Sequence, residues 1–258
     1  EGRNRLALLS RMESWAFLGG RQAEAAELIE RHWQSGRFCT YEEQTAATHM
    51  LLELWNEAKQ PEQALKAIRR LDFPKEFTLY PRILEVAYFL LLEDHTGAEN
   101  LVEELSREYP YHPLALAMLC DYRERQEAWG ALGEAAETLF KLIKIPQTAA
   151  FYLTALGQQK KWIGFLEALS EAESVGIRLE PGWTHINRAR ALLALDRDEE
   201  AQKALAEAQQ LQQSGELTLG AQDRYYLLDS YVRTGELERA LTEANRLVED
   251  HRNYAEGH

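Results

Sequence analysis

Apolar residues return every three to four positions along this chain, in short blocks separated by polar turns. In the stretch 237–248 they are Leu237, Ala240, Leu241, Ala244, Leu247 and Val248. That spacing lays one stripe along one face of an α-helix. Similar blocks occur earlier, in QPEQALKAIRRLD and in DRDEEAQKALAEAQQL. Each is preceded by another apolar-periodic stretch: Leu51, Leu52, Leu54 and Trp55 mark one, Leu84, Ala87, Tyr88 and Leu91 another, and Tyr225, Leu227, Leu228 and Tyr231 the last. Alternating Val/Ile/Thr runs, the usual strand signal, are absent. The pattern predicts helix–turn–helix units, repeated along the chain.

The repeat is anchored by a small residue where the second helix of each unit begins to pack. The anchors read from the pattern are Ala25, Ala64, Ala98, Ala135, Phe165, Ala201 and Ala240, spaced by 39, 34, 37, 30, 36 and 39 residues. Alanine lets two helices approach to about 8–9 Å. Phe165 breaks this rule in the shortest unit, so that unit is expected to be distorted. Neither helix buries its stripe alone, and stacking the pairs makes one continuous core. The expectation is an all-α fold, an α-α superhelix (right-handed solenoid) of about seven units. It forms a single domain over 1–258, with a weak seam at 175–183 in VGIRLEPGW. Pro61 opens a helix at its first turn, Gly20 and Gly235 sit in turns, and Pro74, Pro110, Pro146 and Pro181 fall between units.

Composition narrows the class. Apolar residues make up 45% of the 258, too many for a disordered chain. No apolar run approaches the roughly 18 residues of a membrane span. The net charge is −13, which opposes binding to nucleic acid or to an anionic membrane surface. The excess concentrates at the end: Asp196–His258 carries 14 acidic and 7 basic residues, a net −7. Cys39 and Cys120 lie 81 residues apart on different helix pairs, with no C-x-x-C, so neither a disulfide nor a metal clip is indicated. Cys120, within LALAMLCDY, reads as a small core residue. The chain starts EGRNRL without methionine and is expected to be part of a longer protein, cytoplasmic or bacterial periplasmic.

The pattern resembles the tetratricopeptide repeat (TPR) family, in divergent form. The resemblance is carried best by YYLLDSYVRTGELERALTEANRL, with Leu227, Tyr231, Gly235 and Ala240, and by SREYPYHPLALAML with its closing proline and restart. Ala189 supplies the family's small first-helix residue, whereas Leu52, Leu153 and Leu228 are bulky there. The resemblance implies a non-catalytic scaffold that binds peptides or proteins on a concave face lined by the first helix of each pair.

Sites of chemistry are hard to find on such a chain. The seven histidines form no H-E-x-x-H and no close Cys/His cluster, so no metal and no cofactor is expected. Adjacent acidic pairs such as Glu103–Glu104 or Glu199–Glu200 point about 100° apart on a helix and do not face each other across a cleft. No nucleophile elbow or phosphate loop is present, and no catalytic residue is assigned. The concave face is the best place for a site. Its candidate residues are His49, Glu53, Asn56 and Glu57 in the second unit, Glu85 and Phe89 in the third, Asp121 and Glu124 in the fourth, and Trp183, Arg190, Tyr225 and Asp229 in the last two. Carboxylates mixed with aromatics form an acidic groove that suits a protein partner with a basic or amphipathic segment. A second expectation is a periplasmic scaffold in bacterial exopolysaccharide export, binding a cationic polysaccharide or its modifying enzyme.

Overall fold

Periodic stripes become helices wherever the chain is described. The computed structural model describes residues 9, 11, 12, 14, 16–38, 40–71, 73, 79–214 and 221–255. Cys39 and Pro74 lie outside these residues. Helical residues 16–19 lead into α1 (Gln22–Gln34), followed by α2 (Tyr41–Glu57), α3 (Pro61–Arg70), α4 (Leu79–Leu91) and α5 (His95–Glu108). Then come α6 (Pro113–Arg125), α7 (Trp129–Leu142), α8 (Pro146–Gln158), α9 (Trp162–Ser174), α10 (Pro181–Ala194), α11 (Asp198–Ser214), α12 (Ala221–Arg233) and α13 (Leu237–Ala255). No strand occurs among the described residues. The chain divides into two compact units, Glu1–Pro110 and Tyr111–His258. Each is an α-α solenoid of helix pairs.

The same turn closes the first helix of seven pairs. Gly20, Lys59, Glu93, Glu127, Lys160, Asp196 and Gly235 all take a left-handed backbone, with φ between 52° and 77°. The next residue's N–H reaches back to the carbonyl five positions earlier: Arg21 to Ala16, Gln60 to Trp55, Asp94 to Phe89, Ala128 to Arg123, Lys161 to Leu156, Arg197 to Leu192 and Glu236 to Tyr231, all at 2.8–3.0 Å. This closes the first helix of each pair, as a Schellman-type cap does. Only two of the seven positions are glycine, so the turn is specified by the flanking helices more than by its central residue.

The turns fix the register and correct the anchors. Five residues after each left-handed position stand Ala25, Ala64, Ala98, Leu132, Phe165, Ala201 and Ala240. The fourth anchor is therefore Leu132, not Ala135. An irregular interval of 30 residues is replaced by spacings of 34 and 33. Leu132 is fully buried and shares its cluster with the small Cys120 on α6. The α8–α9 pair is not distorted either, although Phe165 stands at its anchor. A Cβ on Gly157 of the facing helix would sit 3.9 Å from the Phe165 ring, an ordinary contact, so the ring is seated without crowding. The turn geometry at Lys160 matches the others.

The proline expectation is also refined. Pro61, Pro113, Pro146 and Pro181 each begin a helix, where the missing N–H costs nothing. Thr40 caps α2 through a reciprocal box with Glu43: the Glu43 N–H donates to Thr40 Oγ1, and the Thr40 N–H donates to Glu43 Oε2, both at 3.2 Å. The stretch 175–183 lies within the second unit, where Ile177 is buried against Phe140, Ala149 and Ala172. In the first unit a single cluster joins Ile29, Leu51, Leu54, Trp55, Ala64 and Ile68. In the second, successive clusters follow the pairs, from Leu116 and Leu139 through Leu153 and Leu169 to Leu205 and Tyr231.

Candidate functional site

The same turns align the first helices column by column. Six residues before each left-handed position, from the second unit of the repeat onward, stand Glu53, Ala87, Asp121, Thr154, Arg190 and Asp229. Glu53, Ala87, Asp121 and Asp229 are exposed and Thr154 and Arg190 half-buried, so this column faces away from the core. The face built around it is the candidate site in each compact unit.

In the first unit, the Tyr80 hydroxyl and His49 Nε2 share a hydrogen bond of 2.6 Å, which ties α2 to α4. Asn56 accepts a hydrogen bond of 3.1 Å from the Tyr88 hydroxyl, a second tie between the same helices. Glu53 and Glu57 are exposed beside these ties. Glu85 and Phe89 do not belong to this face. Glu85 is ion-paired with Arg69 of α3 at 2.9 Å, and Phe89 is 9% exposed, with the Arg69 guanidinium 4.9 Å from its ring centre. They sit eight and four residues before the turn, positions that point into the helix packing. Reading the third unit two residues out of register placed them on the groove.

In the second unit, Asp121 accepts from Arg125 Nε at 2.9 Å on α6. Burial raises the pKa of Glu124 above the ordinary carboxylate value; Asp121 adds to this and Arg125 opposes it. Further along, α8, α10 and α12 line two adjoining clefts open to solvent, of about 600 and 860 Å³. Trp183, Arg190, Tyr225 and Asp229 all line them. Arg190 lies at their junction. Its Nη1 donates to Asn187 Oδ1 at 2.8 Å, and its guanidinium carbon is 3.5 Å from the Tyr226 ring centre and 5.4 Å from that of Trp162. Tyr225 stands edge-on to Tyr226 with ring centres 5.9 Å apart, and Trp183 tilts against Phe165 at 6.1 Å. Asp229 pairs with Arg233 at 3.1 Å.

Sequence reasoning overlooked Tyr80, Asn187, Tyr226 and Trp162. The signal for two of them was present: Asn187 and Tyr226 stand nine residues before their turns, 39 apart, as Asp196 and Gly235 are. Trp162 belongs to a second helix and reaches the face only through the cleft, which no first-helix column reveals.

No protein-family model matches the chain, and no curated protein matches it. Solved structures do. A tetratricopeptide repeat protein from Parabacteroides merdae ATCC 43184 superposes with a TM-score of 0.52 at 12% identity, over 95% of this chain and 93% of that one. The C-terminal part of a TPR repeat-containing protein from Cytophaga hutchinsonii gives 0.58 at 13% identity, over 93% and 92%.

The fold is that of the tetratricopeptide repeat. Seven TPR-type turns are described, and the divergence lies in their filling: glycine survives at two of them, and the anchor is Leu132 or Phe165 in two pairs. Among the described residues no helix is long and apolar enough to cross a membrane.

Proposed function

We propose that this chain is a non-catalytic scaffold that binds a protein partner along the first-helix face of its TPR-type pairs. The observation that carries this reading is the column Glu53, Asp121, Arg190 and Asp229. Four of the six side chains at this repeat position are charged, Ala87 and Thr154 being the others, and Glu53, Asp121 and Asp229 are exposed. A core needs none of them there. On the first unit's face the character is acidic, through the exposed Glu53 and Glu57, and it suits a partner segment carrying Lys and Arg; on the second unit's α6, Asp121 and Glu124 stand among Arg123 and Arg125, with Asp121 paired to Arg125.

The test replaces Glu53, Glu57 and Glu124 by Gln and Asp121 by Asn together. Wild type and variant are immobilised, and proteins retained from the native lysate are identified at low and high salt. Each exposed charge contributes about 0.2–1 kcal/mol, so the four together weaken a basic partner about fourfold or more. The expected result is a protein retained by wild type, released by salt and lost from the variant. Identical retention by both proteins overturns the acidic-face assignment. Recovery of glycan in place of protein moves the assignment to a polymer scaffold.

A further inference from the structure

In the second helices of the pairs, one packing position is covered until α13. Four residues after the anchors of α1, α3, α5, α7, α9 and α11 stand Ile29, Ile68, Val102, Ala136, Leu169 and Leu205, all buried. Where the clusters are resolved pair by pair, the first helix that follows does the covering. Ala136 shares its cluster with Phe151 and Ala155 of α8, Leu169 with Ala191 of α10, and Leu205 with Leu227 and Tyr231 of α12. In α13 the position is Ala244, half-buried, and around it Leu237, Leu241 and Val248 are 66%, 63% and 63% exposed. This stripe is more than the stacking of pairs requires. The same four positions read His95, Glu99, Val102 and Ser106 in α5, and Asp198, Gln202, Leu205 and Gln209 in α11; in no other second helix are all four aliphatic. The spacing of four, three and four is the a/d spacing of two helices packed side by side. It also reads the same reversed. Turned antiparallel against itself, Leu237 meets Val248 and Leu241 meets Ala244, large against small, as a two-fold contact demands. Beside the stripe on its solvent side, the exposed Glu238 then faces the exposed Asn245, a carboxylate opposite an amide donor.

We infer that the occupant of this face is a second copy of the chain, joined by antiparallel pairing of the two α13 helices about a two-fold axis. Two helices packed over about three turns bury roughly 1,000 Å² in all, at the low end for a specific interface, so the dimer is weak, with a dissociation constant of roughly tens of micromolar. Charge gives the pairing a signature. Each copy carries −13, and the stretch Asp196–His258 is acidic in both, so the copies repel each other and salt strengthens their contact. A basic helix of another protein on the same stripe behaves oppositely. Because α13 is a second helix, the pairing uses none of the first-helix residues assigned above to a protein partner, and it stands independently of that assignment.

The test is sedimentation velocity of the whole chain from about 1 to about 200 µM, at about 50 and about 300 mM salt. A monomer–dimer equilibrium is expected, tightening several-fold at the higher salt. Leu241→Glu, at an exposed site, keeps the unfolding midpoint and abolishes the dimer. Asn245→Arg gives Glu238 of the other copy an ion pair, made twice across the axis, and tightens the dimer several-fold; adding Glu238→Gln cancels that gain. A monomer at every concentration and both salts overturns the inference, as does a dimer that Leu241→Glu leaves intact. Failure of Asn245→Arg to tighten the dimer removes the antiparallel register and the inference with it. Association that weakens with salt assigns the contact to opposite charges and overturns it as well.

Discussion

At the scale of single residues, Gly97 and the buried ionisable groups give the sharpest expectations. Gly97 lies in the first turn of α5, where Asp94 Oδ1 accepts from its N–H at 2.9 Å. A Cβ there would meet the Phe89 ring at 2.7 Å. Alanine is worth about 1 kcal/mol over glycine in a helix, but overpacking a buried ring costs about 1–3 kcal/mol. Gly97→Ala is therefore expected to lower the urea midpoint, and a raised midpoint would mean that Phe89 yields freely. Burial pushes the Cys120 thiol up to about 12, with Glu124 adding to it, and pushes the Tyr231 phenol up to about 12. In the unfolded chain these groups ionise near 9 and 10. Between those values and 12 the unfolded state holds fewer protons than the native one, so stability is complete below about pH 9 and falls as pH rises. Each group contributes a slope of up to about 1.4 kcal/mol per pH unit. Tyr231→Phe is expected to flatten the decline between pH 10 and 12 in unfolding measurements, and an unchanged slope assigns the alkaline loss to other groups.

At the scale of elements, the repeated turn decides most of what happens. Lys160 holds φ 55°, a conformation that costs a non-glycine residue about 1–2 kcal/mol, while glycine loses about 0.5–1 kcal/mol more chain entropy on folding. Lys160→Gly is thus expected to stabilise by about 0.5 kcal/mol, and Lys160→Val, β-branched in a left-handed turn, to destabilise by more than about 1 kcal/mol. Thermal melts of the two variants that shift in the same direction would contradict this account. These turns also explain how much was legible in the sequence. The stripe at Leu51–Trp55 exposes helix identity directly, because burial repeats every 3.6 residues whatever the turn contains; at 237–248 the same spacing marks a helix, although Leu237, Leu241 and Val248 stay exposed and only Ala240 is buried. Register was less legible. Where glycine marks the turn, at Gly20 and Gly235, the anchors Ala25 and Ala240 follow correctly. Where Glu127 occupies it, nothing local distinguishes Leu132 from Ala135 three residues on, since both lie on the buried face of α7. Glu85 and Phe89 were misplaced although the anchor Ala98 after Glu93 was read correctly, because nothing in the sequence showed that Arg69 of α3 packs against both. The Arg190 stack was only partly legible: its column is periodic, but Trp162 reaches it from another helix.

At the scale of the molecule, what matters is that hydrophobic clusters follow the pairs instead of converging on one centre. In the second unit Leu205 packs with Ile186, Ala204, Leu227 and Tyr231, whereas Leu116, Leu132 and Leu139 form a separate cluster with Phe151. A solenoid built this way draws its stability from neighbouring pairs, so damage stays local until the stack fails. Leu205→Ala removes a fully buried side chain and costs about 2–5 kcal/mol where it is felt. Hydrogen exchange reads where that is. Amides of α10–α13 are expected to lose protection by at least tenfold, while those of α6 and α7 keep most of theirs, because local opening is governed by the nearest cooperative segment. The acidic excess of 196–258 sharpens this contrast: ion pairs such as Arg224–Glu243 at 3.2 Å stitch α12 to α13, and adding salt screens the repulsion among the remaining carboxylates. Equal loss of protection in α6 and α10 would instead show that the second unit opens as one cooperative block.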